Sequence, residues 1–174
     1  LWIFGGDYID AAMVGYSVVA LMLLLRIISW DDIVSNKAAW NVFFWLMIAR
    51  LLLEDLKVDR VEVASARVSE GEFEAVEMIC DWAARRNLLH KVEVLGFVDG
   101  HTSVDWIQRT GCRVINLLCK GSLKHCTQQL HKTPEEHLAE IIDVVRYADE
   151  QDITVNVYLE DWSNGIKDSP EYVF

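Results

Sequence analysis

The chain has 174 residues, 52% apolar and 25% charged, a composition typical of a globular protein with its own core. Its net charge of −11 is spread along the sequence, so no lysine and arginine cluster predicts a nucleic-acid partner. Four cysteines without a CxxC pair argue against a disulfide framework and favour a reducing, cytoplasmic setting.

The first 45 residues differ from the rest and form an atypical apolar segment. Residues 11–25 carry no charge, and residues 38–48 are a second apolar run rich in tryptophan and phenylalanine. Arg26 interrupts the first run before it reaches the roughly 20 residues that a membrane-spanning helix needs. Two early aspartates stand where a signal peptide carries basic residues. We therefore expect neither a membrane partner nor a secretion signal.

From Leu46 onward, helix and strand signals alternate. Residues 46–56 are nearly all helix formers. The predicted strands are residues 60–65, 90–97, 112–118 and 153–160, with a short helix at 103–110. Two capping boxes, at residues 69–72 and 133–136, begin the other two helices. Their predicted core faces carry Phe73, Val76, Ile79, Cys80 and Ala83 in the first, and Leu138, Ile141, Ile142 and Val145 in the second. This order predicts parallel strands joined by right-handed crossovers.

Alternation along the last strand distinguishes an open sheet from a barrel. One face carries only aliphatic side chains, and the other carries Thr154, Asn156, Tyr158 and Glu160. A sheet covered by helices on both sides would be aliphatic on both faces, whereas a barrel interior turns polar near its catalytic mouth. We predict an α/β fold, a partial (β/α)8 TIM barrel of about four strands, over residues 46–174.

The same alternation assigns a polar set to the barrel interior. The predicted interior side chains are Glu62, Glu93, Leu95, Asn116, Leu118, Asn156, Tyr158 and Glu160. Buried carboxylates and amides are costly unless paired, so the set indicates either a functional site or a structural hydrogen-bond network. No G-x-G-x-x-G, P-loop or G-x-S-x-G motif follows a strand, which argues against dinucleotide, kinase-like and serine-hydrolase functions.

Three strand-end motifs add a family resemblance that covers residues 46–174. They are residues 58–69 (VDRVEVASARVS), 94–100 (VLGFVDG) and 156–165 (NVYLEDWSNG). Together they resemble the citramalate synthase branch of the isopropylmalate and homocitrate synthase family, acetyl-CoA-condensing TIM-barrel enzymes.

The resemblance implies a Claisen condensation of acetyl-CoA with a 2-oxo acid, pyruvate being favoured, in an enzyme that is a homodimer when intact. A divalent Mg, Mn or Zn ion would hold the 2-oxo acid while a base removes a methyl proton from acetyl-CoA. The resemblance assigns Glu160 as the acid/base carboxylate and Tyr158 as a residue of the substrate pocket. Leu95 and Leu118 would wall a pocket that admits pyruvate and crowds larger oxo acids, although ordinary barrel core is the alternative for both leucines.

Two parts of the family pattern are missing. The family opens with an Asp-(Thr/Cys)-Thr-Leu-Arg-Asp-Gly-like strand motif, which supplies a metal carboxylate and an arginine for the enolate, and a later strand brings a histidine pair. Neither occurs in this sequence. We expect the metal ligands to be absent from this chain and the chain alone to be inactive. We also expect both ends to be truncated, and residues 1–45 to derive from out-of-frame translation, gene fusion or mis-tracing.

Other functions stay open at this stage. Isopropylmalate and homocitrate synthases share the chemistry with other 2-oxo acids, and a retro-aldol lyase shares the barrel and the metal. A non-catalytic truncated barrel, or an interaction module tethered to a membrane through residues 1–45, belongs to a different class.

Overall fold

The computed structural model describes residues 11–174, which divide into two compact units between Trp40 and Asn41. The first unit contains α1 (Ala11–Leu24) and α2 (Trp30–Ser35), and α3 (Lys37–Arg50) begins there. Ser29 caps α2 with a reciprocal box, in which its hydroxyl oxygen accepts from the Asp32 N–H at 3.2 Å. None of the helices described here is both long enough and apolar enough to cross a membrane.

The second unit is built from βα repeats. A π-helical turn (Leu51–Asp55) follows α3 and precedes the first strand. The remaining elements, in chain order, are β1 (Val61–Ser65), α4 (Glu70–Ala84), a 3-10 turn (Leu89–Lys91), β2 (Val92–Phe97), α5 (Thr102–Arg109), β3 (Val114–Lys120), α6 (Leu123–Gln128), α7 (Pro134–Glu150), β4 (Thr154–Glu160), α8 (Trp162–Asp168) and α9 (Pro170–Val173).

The four strands form one parallel sheet in the order β1-β2-β3-β4. Each neighbouring pair is joined by a helical crossover, as the sequence pattern predicts, so the fold is α/β and forms part of a TIM barrel. The register is regular from β2 to β4, whereas a bulge between Glu62 and Ser65 interrupts the pairing of β1 with β2.

The core lies between the sheet and helices α4, α5 and α7. One face of each inner strand is fully buried, as Val94, Ile115 and Leu117 illustrate at 0% exposure. Ala49 of α3 and Leu53 of the π turn join this core. All four cysteines are buried and free.

Several element boundaries differ from the sequence prediction. The first two residues predicted for the second strand lie in the 3-10 turn, and the third strand runs over Val114–Lys120, two residues later than predicted at each end. Leu138 and Ile142 were predicted as core but are 57% and 47% exposed. Leu138 lines a groove beside the edge strand β4, where the helix packs on no further strand of the described residues. Val144 and Ala148 are the buried aliphatic positions of that helix.

The two predicted capping boxes also differ. At α7 both halves form, since Thr133 caps the Glu136 N–H and the Glu136 carboxylate accepts from the Thr133 N–H. At α4 only the first half forms, with the Ser69 hydroxyl oxygen accepting from the Glu72 N–H at 3.2 Å. The Glu72 Oε2 atom is buried without a hydrogen-bond partner among the described residues.

Candidate functional site

The four residues predicted for the site lie on one face of the sheet. Leu95 belongs to β2, Leu118 to β3, and Tyr158 and Glu160 to β4. The register places Leu118 beside Tyr158, and Glu160 beside Lys120. This inner face is opposite the buried one: Leu95, Leu118 and Glu160 are half-buried, and Tyr158 is 54% exposed. The predicted alternation therefore brings the four onto a common face, with Glu160 at the carboxyl end of β4, Leu118 and Tyr158 one layer below it, and Leu95 level with Asn116.

The N-terminal part of the inner face is a hydrogen-bond network. The Asn116 amide donates to the Glu62 carboxylate at 2.6 Å, and the Asn156 amide donates to the Glu93 carboxylate at the same distance. Arg60 Nη1 lies 3.5 Å from Glu93. Each carboxylate is thus paired with an amide two strands away, so these four polar residues link strands across the sheet.

Glu160 pairs with a lysine that the sequence prediction overlooked. The Lys120 ammonium donates to the Glu160 carboxylate at the carboxyl ends of β3 and β4. The next residue, Gly121, donates its N–H to the Glu160 carbonyl oxygen at 2.7 Å. Lys120 lies two positions after Leu118 on one strand, so extending the alternation by one step would have found it. The predicted strand ended at residue 118, which concealed that signal.

Asp161, directly after Glu160, is held by two loops. It has a left-handed backbone with φ of 66°, a region that aspartate tolerates better than most residues. Its carboxylate accepts from the Ser122 hydroxyl at 2.7 Å and from the Asn164 amide at 2.5 Å. These two hydrogen bonds, with His125 Nε2 at 3.4 Å, lower the pKa of the Asp161 carboxyl. The loop after β3 is thereby fastened to the loop after β4.

Two glycines allow this close approach. A Cβ atom added at Gly165 would lie 1.8 Å from the carbonyl oxygen of Gly121, and one added at Gly121 would lie 3.0 Å from the Glu160 carbonyl oxygen. Position 165 therefore requires glycine if the main chain after β3 is to contact α8, and position 121 leaves little room for a side chain.

Lys120 also accepts a hydrogen bond from a residue outside the sheet. The Tyr172 hydroxyl donates to the Lys120 carbonyl oxygen at 3.0 Å and lies 2.8 Å from His137 Nδ1. His137 is 2% exposed, and its burial lowers the pKa of the imidazole. Burial likewise raises the pKa of Tyr172, so both rings remain uncharged at neutral pH. Lys120 is therefore fixed by its main chain as well as by Glu160.

The family of the chain follows from the match of its second unit. Residues 38–169 match the HMGL-like family, and the protein belongs to that family, within the superfamily of acetyl-CoA-condensing TIM-barrel enzymes. A second family description, the sodium:sulfate symporter transmembrane region, matches residues 1–57.

The N-terminal 46 residues are similar to curated transporters. They are 98% identical to part of the L-tartrate/succinate antiporter of Escherichia coli strain UTI89, a match that covers 26% of this chain and 9% of the antiporter. The citrate/succinate antiporter of E. coli K12 is 46% identical over 41 residues, and inner membrane protein YbhI of that strain is 44% identical over 45. Each match covers 24% or 25% of this chain, and the chain spans only 8% and 9% of these two relatives.

This in-frame identity does not fit the expectation of out-of-frame translation for residues 1–45. A gene-fusion origin stays a prediction.

The HMGL-like family generally uses a divalent metal, and the inner face can be tested for one. In the part of the chain that the structure describes, no group of three or more His, Cys, Asp or Glu side chains could hold a metal ion. Glu62 and Glu93 accept from amides and Glu160 accepts from Lys120, so the carboxylates of this face are already paired. The donor set of residues 11–174 therefore does not fit a divalent metal.

Proposed function

We propose that the second unit carries the oxo-acid pocket and the acid/base carboxylate of an acyltransferase that condenses acetyl-CoA with pyruvate. The observation that carries this proposal is the common face shared by Leu95, Leu118, Tyr158 and Glu160, which come from three adjacent strands and lie in the carboxyl-terminal halves of those strands. Active sites of TIM barrels lie at that end of the strands.

Each side chain suits one part of the reaction. The Glu160 carboxylate takes a methyl proton from acetyl-CoA, and the resulting enolate carbon forms a C–C bond to the ketone carbon of pyruvate, whose oxygen gains a proton. Water then hydrolyses the thioester and releases CoA. Lys120 orients the Glu160 carboxylate, Leu95 and Leu118 contact the pyruvate methyl, and the Tyr158 hydroxyl is a polar contact for the oxo acid. No cation among the described residues is assigned to the ketone oxygen or the enolate oxygen. We therefore expect this chain to bind the oxo acid without catalysing the condensation.

Ligand-observed NMR on the full chain tests the pocket. We expect saturation transfer to pyruvate and weaker transfer to 2-oxoisovalerate and 2-oxoglutarate, the larger substrates of isopropylmalate and homocitrate synthases. Leu118→Ala should enlarge the pocket and raise the signal of 2-oxoisovalerate relative to pyruvate by about three-fold or more, since one or two methylene contacts are worth about 1 kcal/mol or more.

Leu138→Ala is the matched control, because Leu138 is an exposed leucine on α7, outside the inner face. The proposal fails if no 2-oxo acid binds or if both leucine variants change the ratio equally. If the unmodified chain gave a stronger signal for 2-oxoisovalerate or 2-oxoglutarate than for pyruvate, we would assign it instead to the isopropylmalate or homocitrate synthase branch.

A membrane-tethered module is a second candidate, favoured by the surface of the first unit. Helix α1 has no charged residue, and its exposed side chains include Met13 at 64%, Tyr16 at 71% and Leu24 at 81%. A helix that is apolar on all sides is typical of a buried or lipid-embedded position. We infer that these residues contact lipid acyl chains, a proposal supported by the 98% identity to part of an antiporter.

Flotation with neutral phosphatidylcholine vesicles tests this second candidate, and neutral lipid avoids repulsion by the net charge of −11. The full chain should float, and the double change Val18→Lys with Leu21→Lys should reduce flotation by about ten-fold, because charges oppose transfer into hydrocarbon. Leu138→Lys, in the second unit, is the control. Flotation that is absent, or equally reduced by the control, would contradict the tether.

A further inference from the structure

We propose that Lys120 forms an imine with the 2-oxo acid, a covalent capture that goes beyond the condensation and rests on the oxo-acid pocket proposed above. Lys120 is the last residue of β3, and its ammonium pairs with the carboxylate of Glu160, the last residue of β4. Lysine amines form imines with carbonyl substrates when a neighbouring group can take their proton. The pair therefore supplies a nucleophile and a proton acceptor on the inner face.

The position of Lys120 relative to the pocket residues favours the ketone carbon as its target. Leu118 and Tyr158 lie one layer below the Lys120–Glu160 pair on the inner face. Alternate residues of a strand are about 7 Å apart, so an oxo acid whose methyl group contacts Leu118 has its ketone carbon between that layer and the layer of Lys120. The flexible four-carbon stem of a lysine can span such an interval, which brings the amine to the ketone.

The main chain on both sides of this pair is fixed, and the lysine is shielded from bulk water. The Lys120 side chain is 17% exposed, and its carbonyl oxygen accepts from the Tyr172 hydroxyl at 3.0 Å. The Glu160 carbonyl oxygen accepts from the Gly121 N–H at 2.7 Å. The amine is thus held next to its proton acceptor by the main chain of two strands, so little ordering remains to be done when a ketone arrives.

The imine step balances without a further reactant. Glu160 takes one proton from the Lys120 ammonium, and the neutral nitrogen forms a bond to the ketone carbon while the electrons of the C=O bond move to oxygen. Glu160 then gives this proton to the oxygen and passes on a second proton from the nitrogen. The C–O bond breaks, water leaves, and the nitrogen lone pair forms the C=N bond. The third proton stays on the nitrogen, so the iminium product carries the charge of the original ammonium.

Trapping with pyruvate and sodium cyanoborohydride on the full chain tests the imine, because hydride converts it into a stable secondary amine. We expect a single carboxyethyl adduct in the intact mass, and peptide mapping should place it on Lys120. Lys120→Arg keeps a positive charge beside Glu160 but should abolish this adduct, since a guanidinium stays protonated. Glu160→Gln should slow trapping by about ten-fold or more, because an amide cannot take the ammonium proton.

Lys132→Arg is the matched control, since Lys132 is also paired with a carboxylate, that of Glu140, but lies outside the inner face. This variant should trap pyruvate as the unmodified chain does. Circular dichroism verifies that each variant is folded, and peptide mapping of the unmodified chain decides the question by itself. If pyruvate gives saturation transfer but no adduct on Lys120, or adducts spread evenly over several lysines, the imine is overturned and the oxo-acid pocket stands. If pyruvate gives neither saturation transfer nor an adduct, both proposals fail.

Discussion

At the scale of single residues, the contact between Gly121 and Gly165 determines how the loops after β3 and β4 meet. Gly165→Ala places a methyl group 1.8 Å from the Gly121 carbonyl oxygen, and main chain cannot move aside as a flexible side chain can. We expect a loss of about 3 kcal/mol in the free energy of unfolding, measured by urea denaturation, at the upper end of overpacking effects. The displaced loop directly follows Lys120, so oxo-acid binding should weaken as well.

Gly71 provides the matched control for this substitution. It lies in the first turn of α4, and a Cβ atom added there would have no neighbour within 4 Å. Gly71→Ala should therefore stabilise the protein by about 0.5 kcal/mol, because alanine loses less backbone entropy in a helix. If both alanines changed stability alike, close main-chain packing at Gly165 would not explain its effect.

His137 makes stability depend on pH in a defined window. Its burial lowers the folded-state pKa, whereas an unfolded histidine titrates near 6.5, so below that pH the unfolded chain binds more protons. Its stabilisation is present above about pH 6.5 and is lost as the pH falls toward the folded-state pKa. His137→Gln should flatten the unfolding free energy between about pH 7.5 and 5.5, where carboxylates titrate little. His90→Gln, at an exposed histidine, should leave the profile unchanged, and an equal effect of both would contradict the assignment.

At the scale of elements, α7 starts with the more complete of the two caps predicted from sequence. Thr133→Ala removes the hydroxyl oxygen that accepts from the Glu136 N–H at 3.2 Å, and it should cost about 1 kcal/mol of unfolding free energy. Thr127→Ala is the control, since the Thr127 hydroxyl only returns a hydrogen bond to the Leu123 carbonyl inside α6, and alanine is the better helix former. If Thr133→Ala and Thr127→Ala lowered the unfolding free energy equally in urea denaturation, the cap at Thr133 would make no special contribution to stability.

The same scale explains what could be predicted from the sequence. Period-two alternation predicted the inner face of all four strands, because each strand residue has only two possible directions. Alternation could have placed Lys120 on the inner face, but its pairing with Glu160 could not be predicted, because that pairing depends on the register of two strands separated by 33 intervening residues. Leu138 and Ile142 satisfied the helical pattern of a core face, but periodicity identifies an apolar stripe without identifying what covers it.

At the scale of the whole molecule, net charge opposes the association that exposed apolar surface favours. The chain carries −11 at neutral pH and has an isoelectric point near 4.8, so lowering the pH toward 4.8 removes most of the repulsion between copies. Light scattering should therefore rise sharply near pH 4.8 and more modestly when about 0.5 M salt screens the charges at neutral pH. The exposed apolar helices of the first unit should then associate. A clear solution of the unmodified chain at pH 4.8 would mean that charge does not limit its association, and that these apolar surfaces are covered in solution.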